Sequence, residues 1–330
     1  MLKKIVKPLA LAAALTASSL SMAADKVTFQ LDWLPGGDKA PVYVGIKEGI
    51  FEKAGLDVSI SSGRGSTDAV TKMATGQSDV GTADIGALLA ARAQDDVPVS
   101  AVLAYFSQAP HAFFTVKGNG VETIKDVKGK KVATSPFTSS NLFLPLVLEE
   151  NGLQEKDVTL LKTDPGALGP MLMTGNVPVI IAWTTNVPLF EKQAAEAGKE
   201  LIVLPWSEAG LELYSSSLLA ADKFLEERPD VAKRFVKAFA EAVAFTYANP
   251  DKAGEDIHSI VPEVDADTAA AQIKSIKGLV YNSATDADGY GALTKERMAM
   301  TWKWVAKANK LDADKADPET MVNRDFMPEK

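Results

Sequence analysis

The side chains that do most covalent and metal chemistry are scarce here: 330 residues hold two histidines, His111 and His258, and no cysteine. Disulfides, thiolate metal sites and thiol nucleophiles are excluded. With two histidines, neither a metal-ligand cluster nor a Ser-His-Asp constellation is expected. What the chain offers instead is recognition chemistry. Trp33 follows the alternating strand segment 27–31, Asp32 stands beside it, and Tyr43 lies on a short helix predicted over 40–48. Two aromatic faces then converge at a strand end, where open α/β sheets bind ligands. Trp183, with Asn186 three residues on, follows the apolar run 179–182. A second Trp opposite the first suits a planar ring, since stacking adds roughly 0.5–1.5 kcal/mol beyond area burial. Core packing at a strand end is the alternative for either Trp.

Two turns add polar groups. Gly63, Gly65, Ser66 and Thr67 lie between a strand and a helix. Glycines let backbone amides approach a ligand there, and a helix N-terminus suits phosphate, sulfonate or carboxylate. The counterpart further on is Pro136, Thr138, Ser139 and Ser140, whose hydroxyls can hydrogen-bond a ligand from the opposite wall. For both turns, simple capping of the next helix is the competing account. Asp84, at a helix start, can accept from a ring amine or serve as a cap. Tyr105 and His111 lie beyond the strand ending near Leu103, and Tyr214 opens the return crossing described below; all three are candidate cleft residues, His111 more as a structural hydrogen-bonding group than a catalyst.

The elements that must position these residues alternate. Strand-like and helix-like segments follow one another from Val27 to Leu103, which is the pattern of an α/β domain with a mainly parallel sheet. A strand over 112–116 ends in the breaker Lys117-Gly118-Asn119-Gly120, and a second α/β round runs from Lys130 to Leu204. Its helix over 142–150 is expected to begin close to Leu142, because Pro145 fits only near a helix start. From Tyr214 the chain turns back to the first round and becomes mostly helical. Val231, Phe235, Phe239 and Val243 recur every four residues as a core stripe, and the polar tail after Leu311 is expected to wrap the surface.

At the N-terminus, Lys3, Lys4 and Lys7 precede an apolar run from Leu9 to Leu15 and the small residues Ser21-Met22-Ala23. This is a secretory leader with cleavage expected after Ala23. Its removal takes three lysines and no acid, making the formal charge of −8 more negative still. That balance disfavours nucleic acid and anionic membranes as partners. About 300 residues remain, more than one core usually holds.

Four phrases carry a resemblance: Leu31-Asp32-Trp33, the stretch from Gly49 to Val58, Gly76-Gln77-Ser78-Asp79-Val80-Gly81, and the stretch from Phe224 to Asp230. In this order they resemble the solute-binding proteins of ABC importers, in the subgroup for thiamine pyrimidine precursors, riboflavin, and sulfonates or nitrate. The resemblance implies an α/β, two-lobed type II periplasmic-binding fold with two crossover hinge strands and a ligand trapped in the cleft. Residues 1–23 would be the leader, 24–113 and 214–330 the first lobe, and 114–213 the second, with hinges near Phe113–Val116 and Tyr214–Ser217. The segment Asn176-Val177-Pro178 departs from the family phrase, which usually has an acidic residue there.

The expected function is a monomeric, unanchored periplasmic protein, without cofactor or metal, that hands a small ligand to an inner-membrane ABC permease driven by a cytoplasmic ATPase. A heteroaromatic ligand, a thiamine-related pyrimidine above all, leads; a sulfonate or another small organic anion is second. An enzyme resembling the eukaryotic thiamine pyrimidine synthase is the rival class, set aside because this chain lacks that group's Cys-rich motif and a His after Trp33. A periplasmic sensor module is the third reading.

Overall fold

A computed structural model describes residues 23–209 and 213–328; the leader expected over 1–23 lies, but for its last residue, outside them. Among the described residues, ten strands form two sheets of five. β1 (Asp25–Gln30), β2 (Leu56–Ser61), β3 (Val80–Asp84) and β4 (Val99–Ala104) share the first sheet with β10 (Ser216–Ala221), in the order β2-β1-β3-β10-β4. β5 (His111–Val116), β6 (Lys131–Thr134), β7 (Thr159–Lys162), β8 (Val179–Trp183) and β9 (Leu201–Pro205) form the second, in the order β7-β6-β8-β5-β9. Each sheet takes one antiparallel strand from the chain that has just crossed. β5 runs antiparallel to β8 and β9, and β10 antiparallel to β3 and β4.

The crossings are not where the sequence placed both of them. β5 pairs along its whole length within the second sheet, so a boundary at 113/114 would split a strand. The chain changes sheets earlier, over residues 105–110. The run Ala112-Phe113-Phe114-Thr115-Val116 reads as a handover because it interrupts the α/β rhythm, but its apolar residues belong to the interior of the sheet it enters. The chain returns to the first sheet between β9 and β10. The two crossings are tied to each other: the amides of Tyr105 and Phe106 donate to Ser216 O at 2.9 and 2.7 Å, and Ser215 N donates to Phe106 O.

Helices cover both sheets. The stripe Val231, Phe235, Phe239 and Val243 lies on the long helix Pro229–Ala248, where Phe239 stacks on Phe29 of β1 and Phe235 packs against it at a tilt. Each such buried side chain contributes roughly 1.5–3 kcal/mol. Two local expectations need correcting. The helix after β6 begins at Ser140, not Leu142, and carries Pro145 inside it; Pro145 lacks the N–H that would reach Asn141 O, so one ladder bond is lost rather than the helix start displaced. The tail after Leu311 does more than wrap the surface. It buries Met321 and Phe326, and Val322 bridges Ala101 at the edge of β4, which covers an otherwise open strand edge.

Candidate functional site

Between the two sheets lies a narrow pocket of about 10 Å³, lined by Asp32, Trp33, Asp38, Ser66, Thr138, Ala182, Trp183, Thr185 and Asn186. Strand ends supply most of it. Asp32 and Trp33 follow β1, Trp183 ends β8, and Asn186 closes the short turn after it. Trp33 belongs in sequence to the first sheet yet packs on the apolar cluster of the second, which includes Leu168, Ala182 and Phe190. Trp33, Asp38 and Asn186 also line a wider outer cavity of about 390 Å³, so they stand between the inner pocket and the mouth of the cleft.

The floor is ionic. Lys39 Nζ lies 2.6 Å from Asp32 Oδ1 and 3.0 Å from Asp38 Oδ2, and all three residues are almost fully buried. Thr82 donates to Asp32 Oδ1 at 3.0 Å, and Ser66 Oγ stands 3.5 Å from the other oxygen. Burial pushes the Asp32 carboxyl up, against the opposing pull of Lys39. The Lys39 ammonium is held above its ordinary range: burial alone would lower it, but Asp32 and Asp38 together outweigh that. Two carboxyl groups thus share one buried ammonium.

The structure thus brings Asp32, Trp33, Ser66, Thr138, Trp183 and Asn186 to one pocket. The remaining candidates do not line it. Tyr43 is buried in the core of the first sheet, its phenol pushed up to about 12 by burial. Gly63 lets its loop pass against the Leu31–Asp32 backbone, where a Cβ would overlap. Pro136 is exposed and Ser139 buried, neither on the pocket wall. Tyr105 donates to Asp38 O at 3.1 Å and so supports the floor from behind. Tyr214 is buried beside Arg297, whose guanidinium covers its ring.

The two polar turns are also bonded to each other. Thr67 N and Thr67 Oγ1 both donate to Phe137 O, at 3.1 and 2.9 Å, and Ser135 Oγ donates to Arg64 O at 2.8 Å. The Arg64 guanidinium lies 4.6 Å from the Phe137 ring centre and is paired with Asp68. An amide at the N-terminus of the helix Ser66–Ala74 therefore meets a carbonyl of the opposite turn, and an acid, Asp68, occupies its first turn.

Asp84, His111 and Ser140 form an arrangement that two histidines were not expected to supply. His111 Nε2 lies 3.4 Å from Asp84 Oδ2, and His111 Nδ1 is 2.9 Å from Ser140 Oγ. Ser215 Oγ and Gly86 N donate to Asp84, both at 2.7 Å. None of the three lines the pocket, and each is at most 1% exposed. The line joins β3, β5, the helix after β6 and the return crossing, so it braces the crossing region. Asp38, Lys39 and Thr185 were missed as site residues. The clue to the first two was charge among apolar neighbours: Gly36-Gly37-Asp38-Lys39-Ala40-Pro41 reads as an exposed turn, but Gly37 packs against the backbone of Ala269 and donates to Gln272 Oε1, which buries it.

Comparison with known proteins places this architecture. The riboflavin-binding protein RibY of Chloroflexus aurantiacus is 24% identical, over 92% of this chain and 86% of its own. A 4-amino-5-hydroxymethyl-2-methylpyrimidine phosphate synthase of Saccharomyces cerevisiae is also 24% identical, over 82% and 83%. The solved periplasmic aliphatic sulphonate binding protein SsuA of Escherichia coli superposes with a TM-score of 0.68 at 17% identity, covering 94% of each chain. The fold is that of the periplasmic binding proteins, and the match of the NMT1/THI5 like model to residues 37–253 shows that the chain belongs to that family.

Proposed function

We propose that the protein traps a small heteroaromatic ligand, a thiamine-related pyrimidine by preference, between two lobes and delivers it to an ABC permease after export to the periplasm. The observation that carries this reading is that Trp33 and Trp183 line one pocket with Asp32 and Asp38, whose carboxyl groups share the Lys39 ammonium. Aromatic walls take a planar ring, and carboxylates accept from ring amines. A sulfonate or other organic anion is disfavoured at the same place. Among the described lining residues none is a cation, and the turn amide best placed for an anion is already bonded to Phe137 O.

The likeness to a synthase keeps an enzyme in view. Against it, the pocket wall offers hydrogen bonds and aromatic faces, while His111 is turned to Asp84 and Ser140 behind that wall.

Mass spectrometry of the small molecule released on denaturing the exported protein tests the ligand. An aminopyrimidine supports the reading; an organosulfonate, or a turned-over product of an added pyrimidine precursor, overturns it. Intact mass of the same preparation tests export, with a chain starting at Ala24 expected.

A further inference from the structure

The buried charge cluster has a division of labour. Asp32 is used up within the protein: one oxygen meets Lys39 and Thr82, and the other faces Ser66. Asp38 is different. It lines both the inner pocket and the outer cavity, and its contact to Lys39 uses Oδ2 alone. Lys39 touches both carboxylates from beneath, and its ammonium also lies 5.4 Å from the centre of the Trp183 ring, which belongs to the other sheet. The segment cannot easily turn away. Gly37 N donates to Gln272 Oε1 at 2.8 Å, Lys39 N donates to Gly36 O at 2.9 Å, and Tyr105 fixes Asp38 O.

We propose that Lys39 is the specificity-determining residue of this site: by cancelling one of two buried carboxylates it leaves a single negative charge, at Asp38, for an amine or other positively charged or N–H-rich group on the ligand ring. The inference rests on the pyrimidine reading above and names what that reading leaves open, the charge class of the ligand. An unpaired buried carboxylate is costly, so the number of carboxylates left over sets how strongly a cation is preferred. The groups facing Lys39 are Asp32, Asp38, Tyr43 and Trp183, and none besides the two acids carries charge at neutral pH.

A matched pair of probes isolates charge from shape. 4-Amino-5-hydroxymethyl-2-methylpyrimidine is neutral, and its 5-aminomethyl analogue is a cation of nearly the same size. Titration calorimetry on the full mature protein should show the wild type favouring the cation. In Lys39→Met the ratio of the two affinities should shift at least tenfold further toward the cation, whereas Lys39→Arg should keep it within threefold of wild type. Asp38→Asn, which retains the Asp32–Lys39 pair, should shift the ratio at least tenfold the other way. A purely structural role for Lys39 would weaken both probes together. Unchanged ratios in Lys39→Met or, if that variant does not fold, in Asp38→Asn overturn the proposal while leaving the pyrimidine reading intact. Binding of neither probe by the wild type overturns that reading and this proposal with it.

Discussion

Gly65 and Phe137 meet across the cleft so closely that a Cβ on Gly65 would overlap the Phe137 carbonyl. Gly65 has a φ of 154°, a conformation that favours glycine. The next residues, Ser66 and Thr67, begin a helix whose Thr67 amide donates to that same carbonyl. A turn with the outward signature of an anion site is thus a contact between the two halves of the molecule.

Gly65→Ala should therefore keep the halves apart. Ligand affinity is expected to fall by about tenfold or more, and the decrease in radius of gyration on ligand binding should disappear, with unfolding of the free protein little changed because an open form relieves the clash. Small-angle scattering with and without the bound pyrimidine reads this. A variant that still contracts on binding would show that the turn is not a closure contact.

The two tryptophans should behave differently. Trp33 is only partly buried, so Trp33→Ala should weaken binding at a small cost in stability. Trp183 packs on Phe106 and His111 and is 8% exposed; Trp183→Ala should lose binding and also about 3–5 kcal/mol of stability. Urea unfolding alongside calorimetry separates the two effects, and equal stability losses would contradict the placement of Trp33 at the pocket entrance.

Asp84→Ala removes a helix cap and strands Ser215 and His111 together. A loss of about 3–5 kcal/mol is expected. Asp84→Asn, whose Oδ1 can still accept from Gly86 N while its amide nitrogen donates to Ser215 Oγ, should lose much less. Losses below about 1 kcal/mol in both, read from denaturant midpoints, would mean the network does not brace the crossings.

Alkali should unfold the protein through its buried phenols. Burial pushes Tyr43 up to about 12 and raises Tyr105, Tyr247, Tyr281 and Tyr290 as well. Above about pH 10 the unfolded chain releases these protons while the folded chain keeps them, so stability falls as pH rises from there toward the folded values, by about 1.4 kcal/mol per pH unit for each fully shifted phenol. Lys39 acts in the same direction: its contribution is whole below about 10.4 and is lost as pH rises through its raised value. Tyrosinate absorbance should appear together with unfolding. Gradual ionisation of the folded protein beginning at pH 10 would contradict the burial of these side chains.

Much of the architecture was legible because it is written in local pattern. The alternation of 27–31 marks β1, the four-residue recurrence of Val231, Phe235, Phe239 and Val243 marks the long helix, and Trp33 and Trp183 stand at strand ends that the fold brings to one pocket. The phrases from Leu31 to Asp230 made the family recognisable. What the sequence could not convey is which polar groups find each other. Lys39 and Asp38 look like a solvated turn until Gln272, 235 residues from Gly37, seals it. Thr67 and Phe137 look like two ligand-binding turns until they are bonded to each other, and Ser140, His111 and Asp84 share no local pattern at all. Local propensity depends on neighbours a few residues away, whereas the partner of a buried charge or hydroxyl is set by the packing of distant segments, and only the tertiary structure decides it.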